Sequence, residues 1–170
     1  MKKNILPVIA LGLSAVLFSC NNEAAKPEGA VAAANNFSLD SVRAAIAVSN
    51  STFGSGFATG DSANFVSHYT SDACINPSNM PQICGTAGLT AYFNGGYKMG
   101  IRAIKITTNE VFGGKEGVIE TGNYEMFVDK NVSVDKGKFI VLWKQVDGKW
   151  KMHRDIWNSD LPVPAAAPAK

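Results

Sequence analysis

Residues 137–159, GKFIVLWKQVDGKWKMHRDIWNS, place one Asp-Gly pair between two runs rich in aromatic and β-branched residues. That pattern reads as a long β-hairpin whose register is set by the turn. With Asp147-Gly148 as a two-residue loop, Trp143 falls opposite Met152, Leu142 opposite His153, Val141 opposite Arg154 and Ile140 opposite Asp155. Side chains alternate between the faces of a strand. One face is therefore expected to hold Phe139, Val141, Trp143, Trp150, Met152 and Ile156. The other is expected to hold Ile140, Leu142 and Trp157, with His153 and Asp155 among them. An apolar face carrying two ionisable groups suggests a pocket wall.

The rest of the chain supplies a setting for that hairpin. Leu39, Val42, Ile46, Phe53 and Phe57 recur at helical spacing, with Ser38 to cap the start and Gly60 to stop it. Gly54 and Gly56 weaken the last turns of this helix. Asp61 is placed to cap a second, short helix carrying Phe65 and Tyr69, and Thr86 precedes a third with Leu89 and Phe93. After Gly95-Gly96 the pattern switches to period two, giving strands over 101–112, 117–128, 138–146 and 149–158. Turns are expected at Gly113-Gly114, Asp135-Lys136-Gly137 and Asp147-Gly148. Helices followed by an antiparallel meander make an α+β fold.

The ends of the chain read differently. Lys2 and Lys3, the apolar run 5–18 and Leu17-Phe18-Ser19-Cys20 resemble a bacterial lipoprotein signal, so 1–19 is expected to be removed and Cys20 lipidated. The run is too short to span a bilayer. Residues 20–37 read as a flexible tether, 38–160 as one domain, and the Pro/Ala-rich 161–170 as a disordered tail. These features predict a bacterial envelope protein held to the membrane only by its lipid. Asn21, rather than Asp, after the lipidated cysteine points to the outer membrane.

The formal charge of +2 disappears when Lys2 and Lys3 leave with the leader, so nothing steers the domain toward nucleic acid. Outside the cytosol Cys74 and Cys84 can oxidise, and their spacing suits a bridge across a short Pro- and Asn-rich excursion; two free, partly buried thiols are the alternative. With no CxxC and only two histidines, a metal site is not expected, and no motif calls for a cofactor.

The helix, Gly60-Asp61, the short helix, Tyr69-Thr70-Ser71-Asp72-Ala73, a loop closing at Gly85 and the strand 150–158 together resemble the SnoaL-like group of the nuclear transport factor two superfamily. Gly137-Lys138, Trp143-Lys144, Asp147-Gly148 and HRDIWN are most similar to small bacterial members of unassigned function. The resemblance implies a cone in which a curved antiparallel sheet wraps around helices, leaving an apolar pocket for a small ligand, often in a homodimer. It also implies that the face carrying His153, Asp155 and Trp157 lines that pocket.

A carboxylate in an apolar cavity and an imidazole beside it could act as an acid–base or ligand-orienting pair. Equally, Asp155 could be tied into a buried ionic network with Arg102, Arg154 or His153. In ketosteroid isomerase relatives, a carboxylate before a proline and a tyrosine on the first helix do the chemistry; here those positions are Asn76, before Pro77, and Phe53. Asn76 cannot abstract a proton and Phe53 cannot donate to an oxyanion, so isomerase chemistry of that kind is disfavoured. Asn76 could still orient a carbonyl or a water, or serve only the turn. Tyr69, Phe53, Phe93, Ile140 and Leu142 complete the candidate ligand contacts, with core packing the alternative for the aromatics.

Overall fold

The computed structural model describes residues 37–162. The leader, the lipidation candidate Cys20, nearly all of the tether and most of the C-terminal tail lie outside the described residues. The first helix, α1 (Leu39–Phe53), begins where the Ser38 hydroxyl accepts from the Ser41 N–H, and buries Val42, Ile46 and Phe53 along one side. It ends at Gly54, after which α2 (Ser55–Thr59) begins. A Cβ at Gly54 would sit 2.5 Å from the Ile104 carbonyl oxygen, so the break also lets the helix lie directly on a strand. Gly60, at φ +73°, ends α2, and the Asp61 carboxylate caps α3 (Ser62–Ser67) by accepting from the Asn64 N–H.

The chain then forms β1 (Tyr69–Asn76) and β2 (Ile83–Cys84), followed by α4 (Gly85–Lys98). Four longer strands come next: β3 (Ala103–Gly114), β4 (Gly117–Val128), β5 (Val132–Val146) and β6 (Lys149–Ser159). They make one sheet in the order β2-β1-β6-β5-β4-β3. Its β3–β6 half is the expected meander, whereas β1 runs parallel to β6, and Tyr69, expected on the second short helix, opens this strand because α3 already ends at Ser67. The fold is α+β, with a curved six-stranded sheet packed against the N-terminal helices and α4.

Three further expectations are corrected. Cys84, not Thr86, stands at the head of α4. The β4–β5 connection is at Asp129–Asn131, where Lys130 and Asn131 adopt positive φ, and Asp135-Lys136-Gly137 runs on as strand. Gly137 serves close approach: a Cβ there would collide with the Asn158 carbonyl and come within 2.9 Å of the Tyr124 ring. Third, Trp143 does pair with Met152 across the Asp147-Gly148 turn, but Leu142 pairs with Arg154, Val141 with Asp155, Ile140 with Ile156 and Phe139 with Trp157. His153 is the extra residue of a β-bulge.

The core lies between sheet and helices, around Trp143, Phe93, Ile46, Ile75 and Leu89, all fully buried. Burying each such side chain contributes about 1.5–3 kcal/mol. Cys74 and Cys84 are joined in a disulfide that ties β1 to β2 at the entry to α4.

Candidate functional site

Between the sheet and α4 lies a cavity of about 810 Å³. Phe53, Phe57 and Phe65 close it on the helical side, while Ile104, Ile106 and Met126 from β3 and β4 face them. On α4 the residues turned to the cavity are Gly88, Ala91, Gly95 and Gly96, four small residues, together with Tyr92. At Gly95 a Cβ would meet nothing within 4 Å, so this wall is hollow because the sequence puts no bulk there.

Into this apolar space β6 presents Asp155. The bulge that displaces His153 brings Asp155 onto the same face as Val141, Met152 and Trp157. Asp155 is 7% exposed, and the Tyr69 hydroxyl donates to its Oδ2 at 2.9 Å. Burial pushes its carboxyl up to about 7; the Tyr69 hydrogen bond pulls it back only partly, and the nearby Glu120 adds to the rise. Burial, reinforced by the Asp155 charge, holds the Tyr69 hydroxyl well above the usual phenol range, and the same causes push Tyr92 up to about 12. Both therefore stay protonated near neutrality and can donate.

A second carboxylate, Glu120 on β4, went unnoticed in the sequence. It is buried, and its Oε1 accepts from Asn50 Nδ2 and Thr108 Oγ1, each at 2.6 Å, while its Oε2 accepts from Trp143 Nε1 at 3.0 Å. Burial raises its pKa, and the three donors oppose that rise. The signal was present: Glu120 stands in period two with Val118 and Tyr124, so alternation alone puts it on the inner face. Asp135, also on the cavity, accepts from the Tyr124 hydroxyl at 2.8 Å and from Ser159 Oγ at 2.6 Å.

The sequence candidates separate accordingly. Asp155, Tyr69, Phe53 and Trp157 line the cavity. Ile140 and Leu142 do not, because the bulge puts them on the opposite face from Asp155, where Ile140 is 52% exposed. His153 does not reach the cavity: its Nδ1 lies 3.0 Å from Thr70 Oγ1, whose hydroxyl donates to Asp72 Oδ1 at 2.9 Å. Burial, with the Arg154 and Lys144 charges, lowers the His153 pKa. The expected Asp155–His153 pair is thus broken up by one residue of slack in β6. No salt bridge to Asp155 forms among the described residues, so the ionic-network alternative is also not what holds it.

Asn76 is structural in its contacts, donating to the Asp155 backbone carbonyl at 3.1 Å and accepting from Gln82 Nε2 at 3.0 Å. Phe93 is buried behind the wall against Phe57 and Phe65, with ring centroids 4.3 and 5.2 Å apart. Among the described residues no group of His, Cys, Asp and Glu is arranged to hold a metal ion.

No family model and no curated protein matches the sequence. Solved structures do match the fold. A nuclear transport factor two-like protein of unknown function from Shewanella oneidensis superposes at TM-score 0.58 with 16% identity, over 68% of this chain and 98% of that one. A ketosteroid isomerase-like protein from Erwinia carotovora atroseptica gives TM-score 0.60 with 17% identity, over 75% and 99%. The fold is nuclear transport factor two-like. A type 2 hexachlorocyclohexane dehydrochlorinase shares it at TM-score 0.57 with 16% identity, over 76% of this chain and 94% of that one. At such identities the likeness establishes architecture and carries no residue roles. Among the described residues of this nuclear transport factor two-like domain, Asp155 and Glu120 are both buried carboxyls on the cavity with raised pKa values, and burial carries the Asp155 carboxyl up to about 7.

Proposed function

We propose that the domain binds a small, largely apolar molecule in the cavity, with the molecule's polar end on Asp155 and Tyr69. The observation that carries this reading is the presence of the hydrogen-bonded Asp155 carboxyl, Tyr69 and Tyr92 on a largely apolar space of about 810 Å³, where the other two carboxylates are already paired within the protein. Native mass spectrometry of a chain starting after Cys20, produced in an oxidising periplasm, tests it. A retained small molecule, lost when Gly95 is replaced by Phe, supports the reading; a bare mass together with no binding from an apolar compound library removes it.

A second reading is favoured by the Asp155 carboxyl titrating at about 7, where a single group can both accept and return a proton. On that reading the domain catalyses a hydrolysis, cyclisation or isomerisation with Asp155 as proton carrier, and His153 takes no part. Turnover that survives Asp155→Asn would exclude it. We infer further, from residues 1–20 alone, that the protein is lipidated on Cys20 and held at the bacterial outer membrane; Cys20→Ser should release it from the membrane fraction. A homodimer through the sheet face bearing the cross-strand pair Ile140 and Ile156, each 52% exposed, is the assembly we propose, and sedimentation of Ile140→Asp tests it.

A further inference from the structure

The polar groups around the cavity differ in what they have left to offer a ligand, and the difference has a sign. Glu120 already takes hydrogen bonds on both oxygens, from Asn50, Thr108 and Trp143. Asp135 likewise takes them on both, from Tyr124, Ser159 and the Lys136 N–H. Asp155 is satisfied on one oxygen only: Oδ2 accepts from Tyr69, and Oδ1 has no hydrogen bond among the described residues. Asp155 Oδ1 is therefore an open acceptor on one of three carboxyl groups that face the cavity, and the Tyr92 hydroxyl is a neutral donor on the same cavity.

Basic residues do not balance them. No Lys, Arg or His lines the cavity among the described residues. Arg102, close by in sequence to Ile101 and Ile104, is committed elsewhere: it donates to the Tyr97 and Ile101 carbonyls, lies 4.3 Å over the Tyr97 ring and sits 3.4 Å from Asp129. Around the open Asp155 oxygen the walls are aromatic, with Tyr69, Tyr92 and Trp157 all facing the cavity and the Tyr92 and Trp157 rings 5.9 Å apart, edge to face. Aromatic faces attract cations.

We propose that the cavity is selective for an apolar amine, bound as its ammonium ion with N–H donated to Asp155 Oδ1 and its apolar body against Phe53, Ile104 and Met126. This deepens the ligand-binding reading above and rests on it. An entering ammonium supplies the counter-charge the cavity lacks, so Asp155 is held ionised in a neutral, hydrogen-bonded pair. A carboxylate or phosphate ligand of the same body would instead set its charge beside Asp155 and Glu120 with no cation to receive it. A charge-assisted hydrogen bond of this kind corresponds to about tenfold or more in affinity.

Isothermal titration of the oxidised domain, begun after Cys20, with 2-naphthylethylamine, 2-naphthylethanol and 2-naphthylacetate at neutral pH tests the choice with one skeleton and three polar ends. The expected order is amine, then alcohol, then acid, with about tenfold or more between amine and alcohol. Asp155→Asn should weaken amine binding about tenfold or more and close the gap between amine and alcohol, with an unchanged circular dichroism spectrum reporting an intact fold. Acid binding as tightly as amine, or alcohol equal to amine in the unmodified protein, overturns the amine assignment and leaves the ligand-binding reading standing. An amine preference that persists in Asp155→Asn overturns the role of Asp155. If no probe binds, ligand binding in the cavity fails and the amine proposal fails with it.

Discussion

Replacing Asp155 with Asn should make the protein more stable above neutral pH and leave it nearly unchanged in acid. The folded carboxyl titrates at about 7 against the ordinary aspartate value of 3.8, and burial is the main cause. Because the folded pKa is raised, the folded state holds its proton while the unfolded chain has already lost it. The unfavourable contribution is therefore absent below about pH 3.8, grows as pH rises toward 7, and is complete above it. At about 1.4 kcal/mol per pH unit between those values, the full cost is on the order of 4 kcal/mol, with about 3 kcal/mol of it developing between pH 4.5 and 8. Asn is nearly isosteric, can still accept from the Tyr69 hydroxyl, and carries no charge to desolvate. Urea unfolding of both proteins at a series of pH values gives the difference directly, since contributions from distant carboxylates cancel. Glu120 is the acidic neighbour facing Asp155, and relieving its repulsion acts in the same direction. A difference that is flat with pH, or an Asn variant growing weaker as pH rises, would refute the reasoning and mean that Asp155 is ionised and held by a partner.

Tyr69→Phe removes the hydrogen bond that lowers the Asp155 pKa, so the carboxyl should titrate above about 7, read from the carboxyl signal in isotope-edited NMR or infrared spectra. Gly95→Ala should stabilise by about 1 kcal/mol through helix propensity, because a Cβ there meets nothing within 4 Å, and thermal unfolding will show it. Gly95→Phe should leave the secondary structure intact while abolishing ligand retention. Losing the disulfide through Cys74→Ala with Cys84→Ala should cost about 2–3 kcal/mol in denaturant unfolding, the amount expected for so short a loop.

The hairpin was legible because Asp147 and Gly148 carry their turn in local chemistry, and both adopt the positive φ that such a turn requires. The helix starts at Ser38 and Asp61 were legible for the same reason, as side-chain caps. What the sequence could not show were non-local effects. Strict alternation carried through His153 predicts a shared face with Asp155, and nothing in HRD announces that β6 will bulge to fit β5 on one side and β1 on the other. Residues 69–76 were legible as a motif but not as a strand, since their burial does not alternate where β1 packs between β6 and β2. Asp135-Lys136-Gly137 looked like a turn by composition, yet Gly137 is needed for the closeness of Asn158 and Tyr124. The cavity itself was legible only by resemblance, because hollowness depends on which small residues of α4 face inward.

The bridge between Cys74 and Cys84 brackets a short excursion of chain that carries Met80 and Ile83, and both of these side chains belong to the cavity wall. Cys84 is also the residue from which α4 departs. One covalent link therefore fastens a lip of the cavity and the root of the helix opposite the sheet. The shape of the opening becomes a property of the compartment as well as of the sequence. A chain made under reducing conditions would carry the same residues around a less fixed entrance, and amide exchange across residues 77–88 should quicken on reduction while exchange in β4 and β5 stays slow.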